Sequence, residues 1–385
     1  MTETGVSPLP RGRAAAIDRV GMGWRPALAA GIQQHRARID VLEVIADDWF
    51  DAPAGDVRAL ASLAARVPVV LHAVGLGLAS AHPVDSTRLA DMARLVEAVR
   101  PLAWSEHLAF VRADGIEIGH LAAPPRTAAT VAGTLENLSR ARAVVGSLPW
   151  LENIASLVAP PASSLPEADW VSAILAGSGA RLLLDLHNLY ANALNAGRDP
   201  ITDLEALPLD RVACVHVSGG RWVDAPGAST RRLLDDHLHD PPEAMTALLA
   251  HLAALTPQPL TVILERDGRY PDMAVLLDQL DALRAALASG RAQGRAAAAP
   301  PPGAGCMGVA PDLQAGQRLE SLLARVYGGH TDCQDFLRDP QAAALAAGCA
   351  PADAEQLMRI DRDGLLHAVH SFGHKRAARA RPANH

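Results

Sequence analysis

Six residues that can bind metal ions lie at the ends of six separate apolar segments of this 385-residue sequence. They are His72, His107, Glu152, Asp185, His216 and Glu265. Segments such as VPVVL before His72 and VACV before His216 are typical of parallel strands buried on both faces. Charged side chains are rare at the ends of such strands unless they are paired or ligated, because burial without a partner is costly. Six ligands exceed what one zinc ion takes and predict a cluster of two or three hard or borderline ions.

A second pair of potential ligands lies in the segment LLDDHLHDPP. Asp235 and His237 are two residues apart, and this spacing places a carboxylate and an imidazole on the same side of an extended chain. The alternative role is a helix cap, which Asp240 can supply instead. Asn188, three residues after Asp185, is a further candidate ligand or orients one. We predict that Asp235, His237 and Asn188 take part in the chemistry of the site.

Several polar neighbours are expected to support the site rather than to bind an ion. Glu106 precedes His107 and would point to the opposite face of its strand, so it should hydrogen-bond a neighbouring element. His187 is expected either to bind an ion or to contact the residues that do, with equal weight on the two roles. Residues expected to line the pocket or contact the ligands are Glu43, Asp47, Asp48, Arg266 and Asp267.

Eight strands are predicted in the first three-quarters of the sequence, with helical patterns between most of them. The predicted strands are Arg19–Trp24, Ile39–Ile45, Val67–Ala73, Ala103–His107, Leu148–Asn153, Arg181–Leu186, Arg211–Ser218 and Pro259–Arg266. Alternating strands and helices predict a parallel sheet with right-handed crossovers. Eight such units predict an α/β fold of the TIM type, a closed (β/α)8 barrel. The C-terminal ends of its strands open onto one face, so the six ligands would meet there.

The composition changes after Leu287 and predicts a smaller second unit. Residues 1–288 would form the metal-binding barrel, 289–311 an Ala/Gly/Pro-rich linker, 312–378 a small all-α domain, and 379–385 a basic tail. The helices predicted in the small domain are Leu313–Tyr327, Thr331–Leu337, Pro340–Ala347 and Pro351–Lys375. A domain of this size buries little apolar surface and should have low stability alone.

Composition also argues against several classes of protein. The net charge of −7 is mild and argues against a general nucleic-acid binder. No apolar run reaches membrane-spanning length, and the start MTETGVSPLPRGR has no secretion signal, so we expect a cytoplasmic protein. The four cysteines are far apart and form no CxxC pair, which disfavours a disulfide framework or a zinc-thiolate site.

Seven motifs, in this order, resemble those of the multinuclear non-haem iron-dependent oxidative enzymes. This family includes the methanobactin-biosynthesis oxygenase and enzymes that act on cysteines of other ribosomally made peptides. The motifs are LHAVGLGLAS, WSEHLAF, LEN, LDLHN, HVSGG, the Asp-x-His step and LERD. The resemblance covers roughly residues 17 to 287.

The resemblance implies a TIM-type barrel that holds two or three irons of mixed Fe(II)/Fe(III) valence. Dioxygen would be the co-substrate, and a cysteine of a precursor peptide would be the substrate. Carried over by motif, the iron ligands would be His72, His107, Glu152, Asp185, His216, Asp235, His237 and Glu265, with Asn188 as a further candidate. Which ligand serves which iron is left open.

The sequence departs from the family at one motif and carries an added domain. It reads EVIADDWF where many relatives have a Glu-Asn pair near Asp47 and Asp48, which would alter the pocket or the choice of substrate. Relatives usually act with a separate partner that presents the peptide. The helical domain at 312–378 is therefore hypothesised to be a fused partner module, with dimerisation as the alternative role.

Two other classes of function are open from the sequence. A redox-neutral sugar isomerase or endonuclease-like barrel also gathers His, Asp and Glu at strand ends, but it uses Mg, Mn or Zn. A non-catalytic peptide-binding scaffold with a relic metal site is the other, and the full set of ligands argues against it. Neither the substrate peptide nor the product is specified by the residues.

Overall fold

Eight parallel strands close into a barrel in which each strand pairs with the next along the chain and the last pairs with the first. The computed structural model describes residues 17–294 and 311–379. The barrel strands are β1 (Arg19–Gly23), β2 (Leu42–Ile45), β3 (Val69–Ala73), β4 (Ala103–His107), β7 (Trp150–Glu152), β8 (Arg181–Asp185), β9 (Val212–Val217) and β12 (Thr261–Leu264). Two antiparallel hairpins extend from its mouth: β5 (Phe110–Ala113) with β6 (Ile116–Ala122), and β10 (Gly220–Val223) with β11 (Arg232–Asp235). The predicted TIM-type barrel is confirmed.

Nine helices accompany the described barrel, and most cover its apolar outer face. They are α1 (Ala29–Gln34), α2 (Ala54–Ala64), α3 (Ser86–Val99), α4 (Ala128–Val145), α5 (Glu167–Ser178), α6 (Leu186–Asn195), α7 (Pro200–Glu205), α8 (Glu243–Leu255) and α9 (Met273–Gln293). The main core fills the space between strands and helices with Leu, Val, Ile and Met side chains. Within the described ranges, no helix combines the length and the apolarity needed to cross a membrane.

Helix α9 continues beyond residue 289, where the linker was predicted to begin. Arg291 explains the extension, because its guanidinium donates to Asp18 at 2.8 and 3.0 Å and to the Gln258 carbonyl at 2.8 Å. These bonds tie the end of the helix to the base of the barrel. Most of the predicted linker (295–310) and nearly all of the predicted basic tail (380–385) lie outside the described residues.

Five helices follow: α10 (Leu313–Tyr327), α11 (Cys333–Arg338), α12 (Pro340–Ala346), α13 (Pro351–Leu357) and α14 (Arg362–Arg379). The prediction of one helix over Pro351–Lys375 is wrong, because the chain leaves the helix after Leu357 and starts a new one at Arg362. Asp361 explains the break. Its carboxylate accepts from the Gly364 amide at 2.9 Å, as a helix cap does, and pairs with Arg232 of β11 at 3.1 Å.

These five helices, called here the helical domain, share a core with the β5–β6 hairpin of the barrel mouth. Phe110 and Ile118 of the hairpin are fully buried in the same cluster as Leu319, Leu323 and Phe372 of the helical domain. The helical domain therefore lies on the face of the barrel where the strands end. Its apolar packing depends on the barrel.

Glu320 of α10 forms the main polar contact between the helical domain and the loop after β3. The carboxylate is fully buried and accepts from Ser80 Oγ at 2.6 Å and from the Ala81 amide at 3.0 Å. Gln317, one turn earlier, donates to the Ala81 carbonyl at 2.9 Å. The loop fixed in this way begins after Ala73, one residue beyond His72, so the helical domain supports the wall of the candidate site.

Glu320 should make the stability of the protein depend on pH. Burial raises the pKa of Glu320 from its usual 4.5 to about 7, although hydrogen bonds from Ser80 and Ala81 oppose the rise. The protonated carboxyl is thus favoured in the folded state, and its contribution is fully present below pH 4.5 and lost as the pH rises to about 7. We expect this one group to lower the free energy of unfolding by about 3 kcal/mol across that window.

Urea unfolding of wild type and Glu320→Gln at several pH values checks this expectation. The difference in unfolding free energy between the two proteins should change across the window, because glutamine does not titrate. Glu355→Gln, at an exposed position of α13, is the matched control and should follow wild type. An equal pH dependence in wild type and Glu320→Gln would contradict the assignment.

Candidate metal centre

The six residues predicted at strand ends converge at the mouth of the barrel. Their side chains are all buried, with relative exposures between 0% and 7%. Ligand atoms lying within 4.8 Å of one another form two groups: His72, His107 and Glu152 in the first, and Glu152, Asp185, His216 and Glu265 in the second. Glu152, at the end of β7, belongs to both groups.

The two oxygens of Glu152 face different groups. Oε2 lies 3.5 Å from His72 Nε2 and 3.5 Å from His107 Nε2. Oε1 lies 3.4 Å from His216 Nδ1, which is itself 3.2 Å from Glu265 Oε2. Nitrogen and oxygen ligands about 2.0 to 2.2 Å from a transition metal lie roughly 3.0 to 3.5 Å apart when they are adjacent around one ion. The observed distances have this spacing, and each oxygen of Glu152 has it with a different group.

Unsatisfied polar atoms are concentrated at the same place. Buried side-chain atoms without a hydrogen-bond partner in the described structure include Glu43 Oε1, His107 Nδ1, Glu152 Oε2, Asp185 Oδ2, Asn188 Oδ1, His216 Nδ1 and Glu265 Oε2. Buried polar atoms are normally paired, and each unpaired atom carries a substantial free-energy cost. Most of these atoms are lone-pair donors of the kind that ligate iron, manganese or zinc. The residues present therefore fit a bound metal cluster.

The protonation behaviour of the site reflects its crowded carboxylates. Burial, reinforced by Asp235 and Glu152, raises the pKa of Asp185 well above its usual value. Burial acts to lower the pKa of His216, but the charges of Glu265 and Glu43 outweigh it and raise the pKa well above its usual range. Positive charge is therefore strongly favoured here. Metal ions would supply it in exchange for protons.

Residues outside the two groups orient the histidines. Glu43 of β2 is fully buried, and its Oε2 lies 2.7 Å from His216 Nε2, which leaves Nδ1 directed at the carboxylates. His72 Nδ1 lies 2.9 Å from Ser105 Oγ, so its Nε2 is directed at Glu152. Such contacts fix the tautomer and ring orientation of a ligand. The sequence placed Glu43 only in the pocket lining, since nothing in it shows that β2 and β9 face each other across the barrel.

Replacing Glu43 should weaken metal binding without removing a ligand. Glu43→Gln cannot accept from His216 with full charge, and we expect a loss of roughly 10- to 100-fold in metal affinity. Competition with a chelator, read as metal retained per chain, measures the effect. Glu97→Gln, at an exposed position of α3, is the control. Unchanged metal retention in Glu43→Gln would show that the contact does not orient the ligand.

Asp235 and His237 border the two groups and hydrogen-bond each other. Asp235 Oδ2 lies 2.6 Å from His237 Nε2, and Asp235 Oδ1 lies 2.8 Å from His187 Nδ1. His237 Nε2 is 3.8 Å from Glu265 Oε2, and its Nδ1 is 3.2 Å from Asp267 Oδ2. The structure thus joins both residues to the site through Glu265. It places His187 and Asp267 as their partners.

The backbone at this pair is held in an unusual conformation. His237 has a φ of 56°, in the left-handed region. Its amide donates to the Gly219 carbonyl at 3.1 Å, and its carbonyl accepts from the Asp267 amide at 2.9 Å. Gly219 is required at its position, because a Cβ there would collide with the carbonyl oxygen of Asp240. The HVSGG motif therefore lets the loop with His237 pack against the end of β9.

Glu106 and Asn188 also have defined positions. Glu106 Oε2 accepts from the Leu76 amide at 3.0 Å, so it supports the loop after β3, as predicted. Asn188 Nδ2 donates to the Asn153 carbonyl at 3.0 Å, and Asn188 itself lines the cavity beside Glu152. Glu106 is thus a structural residue, whereas Asn188 offers its oxygen to the site.

A cavity of about 540 Å³ opens above these residues. Its wall includes His72, His107, Glu152, Asn188, Asp235, His237 and Glu265 from the barrel. Tyr327, Phe372 and Lys375 of the helical domain complete it. Sequence reasoning missed these three residues, because no local pattern shows that the C-terminal helices fold over the barrel mouth. The volume suits a small molecule or a short peptide segment.

Comparison with known proteins places this site in a family. Residues 19–288 match the family described as RiPP precursor modification enzyme MbnB/TglH/ChrH. The chain belongs to this family. Its members modify the precursors of ribosomally synthesised and post-translationally modified peptides. The matched residues include all nine predicted ligands, whereas the helical domain lies beyond the match.

Relatives of the barrel are found in several bacteria. A UPF0276 protein of Streptomyces avermitilis is 36% identical over 275 residues, which is 69% of this chain and 54% of that protein. The chain thus matches about half the length of this relative. A UPF0276 protein of Bordetella bronchiseptica is 34% identical over 276 residues, 71% of this chain and 94% of that protein.

The chain also has low similarity to solved structures. L-ribulose 3-epimerase has a TM-score of 0.47 and 14% identity, over 72% of this chain and 97% of that one. A xylose isomerase-like TIM barrel protein from Mycobacterium smegmatis, in complex with magnesium, has a TM-score of 0.43 and 12% identity, over 70% of this chain and 97% of that one. These values carry no information on the reaction.

Proposed function

We propose that this protein uses a multinuclear iron centre and dioxygen to modify cysteine residues oxidatively in a ribosomally synthesised precursor peptide. The observation that carries the proposal is Glu152, whose two oxygens face two separate ligand groups. A shared carboxylate of this kind supports two ions side by side. A set of imidazole and carboxylate ligands suits non-haem iron ions better than a set made only of soft thiolates.

The centre and the protein would divide the reaction between them. When bound, the irons would activate the substrate thiol and supply the electron transfer that side chains cannot provide. His72, His107, Asp185, His216 and Glu265 would hold them, together with Glu152. None of these residues is more than 7% exposed, and their burial would limit contact between the irons and bulk water.

Asp235 and His237 are assigned to proton transfer at the cavity. Burial acts to lower the pKa of His237, but Asp235 and Glu265 outweigh it and raise the pKa well above its usual value. A protonated His237 beside Glu265 can therefore deliver a proton to a group in the cavity. Ligation of a third ion is the alternative role. A measured content of two irons per chain would support proton transfer by Asp235 and His237. A content of three would support their ligation of the third ion.

The helical domain is proposed to present the peptide. Tyr327, Phe372 and Lys375 form part of the cavity wall, so a peptide bound in the cavity can contact the helical domain. The domain is also fixed to two parts of the barrel, through Glu320 to the loop after β3 and through Asp361 to strand β11. These contacts would hold the helical domain at a fixed position relative to the metal centre.

Metal analysis and Mössbauer spectroscopy on anaerobically purified protein test the proposal. We expect more than one iron per chain, in mixed valence, and oxygen uptake with a cysteine-containing precursor peptide. The same peptide with serine in place of cysteine is the control and should give no uptake. Activity that persists with zinc or magnesium alone would refute the proposal in favour of a redox-neutral barrel.

A further inference from the structure

Three lysine or arginine side chains line the cavity within the described residues: Arg88, Arg112 and Lys375. The two arginines contact other groups of the barrel. Arg112 donates to the Gly75 carbonyl at 2.8 Å, and Arg88 lies 3.9 Å from Asp47. The first contact holds the loop after β3, and the second joins α3 to the segment after β2. Lys375 differs from them because the helical domain supplies it.

Lys375 is the single lysine among the 35 lysine and arginine residues of the sequence. It lies on α14, and its ammonium donates to His120 Nε2 of β6 at 2.9 Å. The position of α14 is fixed by Arg376, which donates to the Ile118 carbonyl at 2.9 Å. Phe372 packs edge-on against the His120 ring, with 4.9 Å between centroids. The ammonium is thus held at the cavity wall by contacts on both sides of the interface.

Much of the remaining charge on the cavity wall is negative. The acidic residues that line it beyond the two ligand groups are Asp47, Asp48, Glu117, Asp235, Asp236 and Asp267. Glu117 and Asp47 already pair with Arg112 and Arg88, so these two arginines have less positive charge to offer a carboxylate of a bound molecule. An ammonium binds a carboxylate with little demand on orientation, because its charge is compact and its donors rotate. Lys375 therefore marks one place where a carboxylate is favoured.

We propose that Lys375, supported by His120, binds a carboxylate of the substrate peptide and so sets the direction in which the cysteine enters the metal centre. This inference rests on the proposed function and specifies the substrate further. The peptide would carry either a free C-terminal carboxylate or an Asp or Glu side chain near the modified cysteine. Lys375 would be a specificity residue rather than a ligand.

Oxygen uptake with three peptide probes tests the assignment in the full-length protein. The probes are a glycine-serine hexapeptide ending in cysteine with a free carboxylate, the same peptide as an amide, and an amide with Asp beside the cysteine. Wild type should prefer a carboxylate peptide by roughly tenfold in kcat/KM, mainly through KM. If only the peptide with a free C-terminal carboxylate is preferred over the plain amide, the bound group is the C-terminal carboxylate. If the amide with Asp is also preferred, an acidic side chain can be bound.

Lys375→Met should abolish this preference, and Lys375→Arg should keep most of it. Arg359→Met removes an exposed charge of the helical domain outside the cavity and should behave as wild type. Iron content and thermal stability, which the proposal leaves unchanged in Lys375→Met, report separately on the metal centre and the fold. A wild type without preference, or a preference that persists in Lys375→Met, would overturn the proposal.

Chemical labelling gives a readout that does not require turnover. Since Lys375 is the single lysine, an amine-reactive ester modifies this side chain and the N-terminal amine, which serves as internal reference. The carboxylate peptide should slow acylation of Lys375 relative to the N-terminus at least severalfold, and the amide should not. Equal rates with both peptides would refute the carboxylate site even in a protein that shows no oxygen uptake.

Discussion

Glu152→Ala should remove iron from the whole centre, whereas His107→Ala should weaken one ligand group. Glu152 contributes an oxygen to both groups, at 3.5 Å from His107 Nε2 and 3.4 Å from His216 Nδ1. His107 contacts the first group alone. Loss of a ligand costs more than loss of an orienting contact, so we expect iron affinity to fall by roughly a hundredfold or more at both positions in Glu152→Ala.

Iron per chain, measured by elemental analysis after anaerobic reconstitution and desalting, separates the two outcomes. Glu152→Ala should retain almost no iron, and His107→Ala should retain an intermediate amount. Glu136→Ala is the matched control, since Glu136 is an exposed glutamate of α4 far from the cavity. Circular dichroism verifies that the barrel is folded. Full iron content in Glu152→Ala, or equal losses in both variants, would rule out a shared carboxylate.

The parts of the site that the sequence predicts are those that the barrel geometry enforces. A ligand at the end of a parallel strand must lie at the barrel mouth, whichever strand carries it. His72 and Glu152 are therefore recognisable as neighbours although β3 and β7 are far apart in the chain. Contacts across the barrel are not enforced in this way. The bond between Glu43 and His216 depends on how two strands lean toward each other, which strand order alone does not specify.

The β5–β6 hairpin has a sequence signal of its own. It turns at Asp114 and Gly115, whose φ values of 49° and 73° are those of a tight hairpin turn. An Asp-Gly pair between apolar strands is a strong hairpin signal. The packing partner of the hairpin is harder to predict. Its apolar face is covered by helices that begin about 200 residues later in the sequence. No short-range pattern predicts that pairing.

Leu323→Ala is expected to destabilise the barrel mouth together with the helical domain. Leu323 of α10 is fully buried in the core that the helical domain shares with Phe110 and Ile118 of the hairpin. Removal of a buried leucine side chain costs about 2 to 5 kcal/mol, through lost transfer free energy and the cavity that remains. Because the core is shared, this loss should destabilise both the barrel mouth and the helical domain.

The tryptophans make the coupling measurable, because all six lie between Trp24 and Trp222, in the barrel. Thermal unfolding followed by tryptophan fluorescence therefore reports on the barrel alone, and far-ultraviolet circular dichroism reports on both parts. We expect one coincident transition in wild type and a decrease of several degrees by both probes in Leu323→Ala. Leu345→Ala, at a position of α12 that is 49% exposed, should leave both unchanged. If Leu323→Ala lowers the circular-dichroism transition and leaves the fluorescence transition in place, the helical domain unfolds independently and cannot hold the cavity wall in a fixed position over the metal centre.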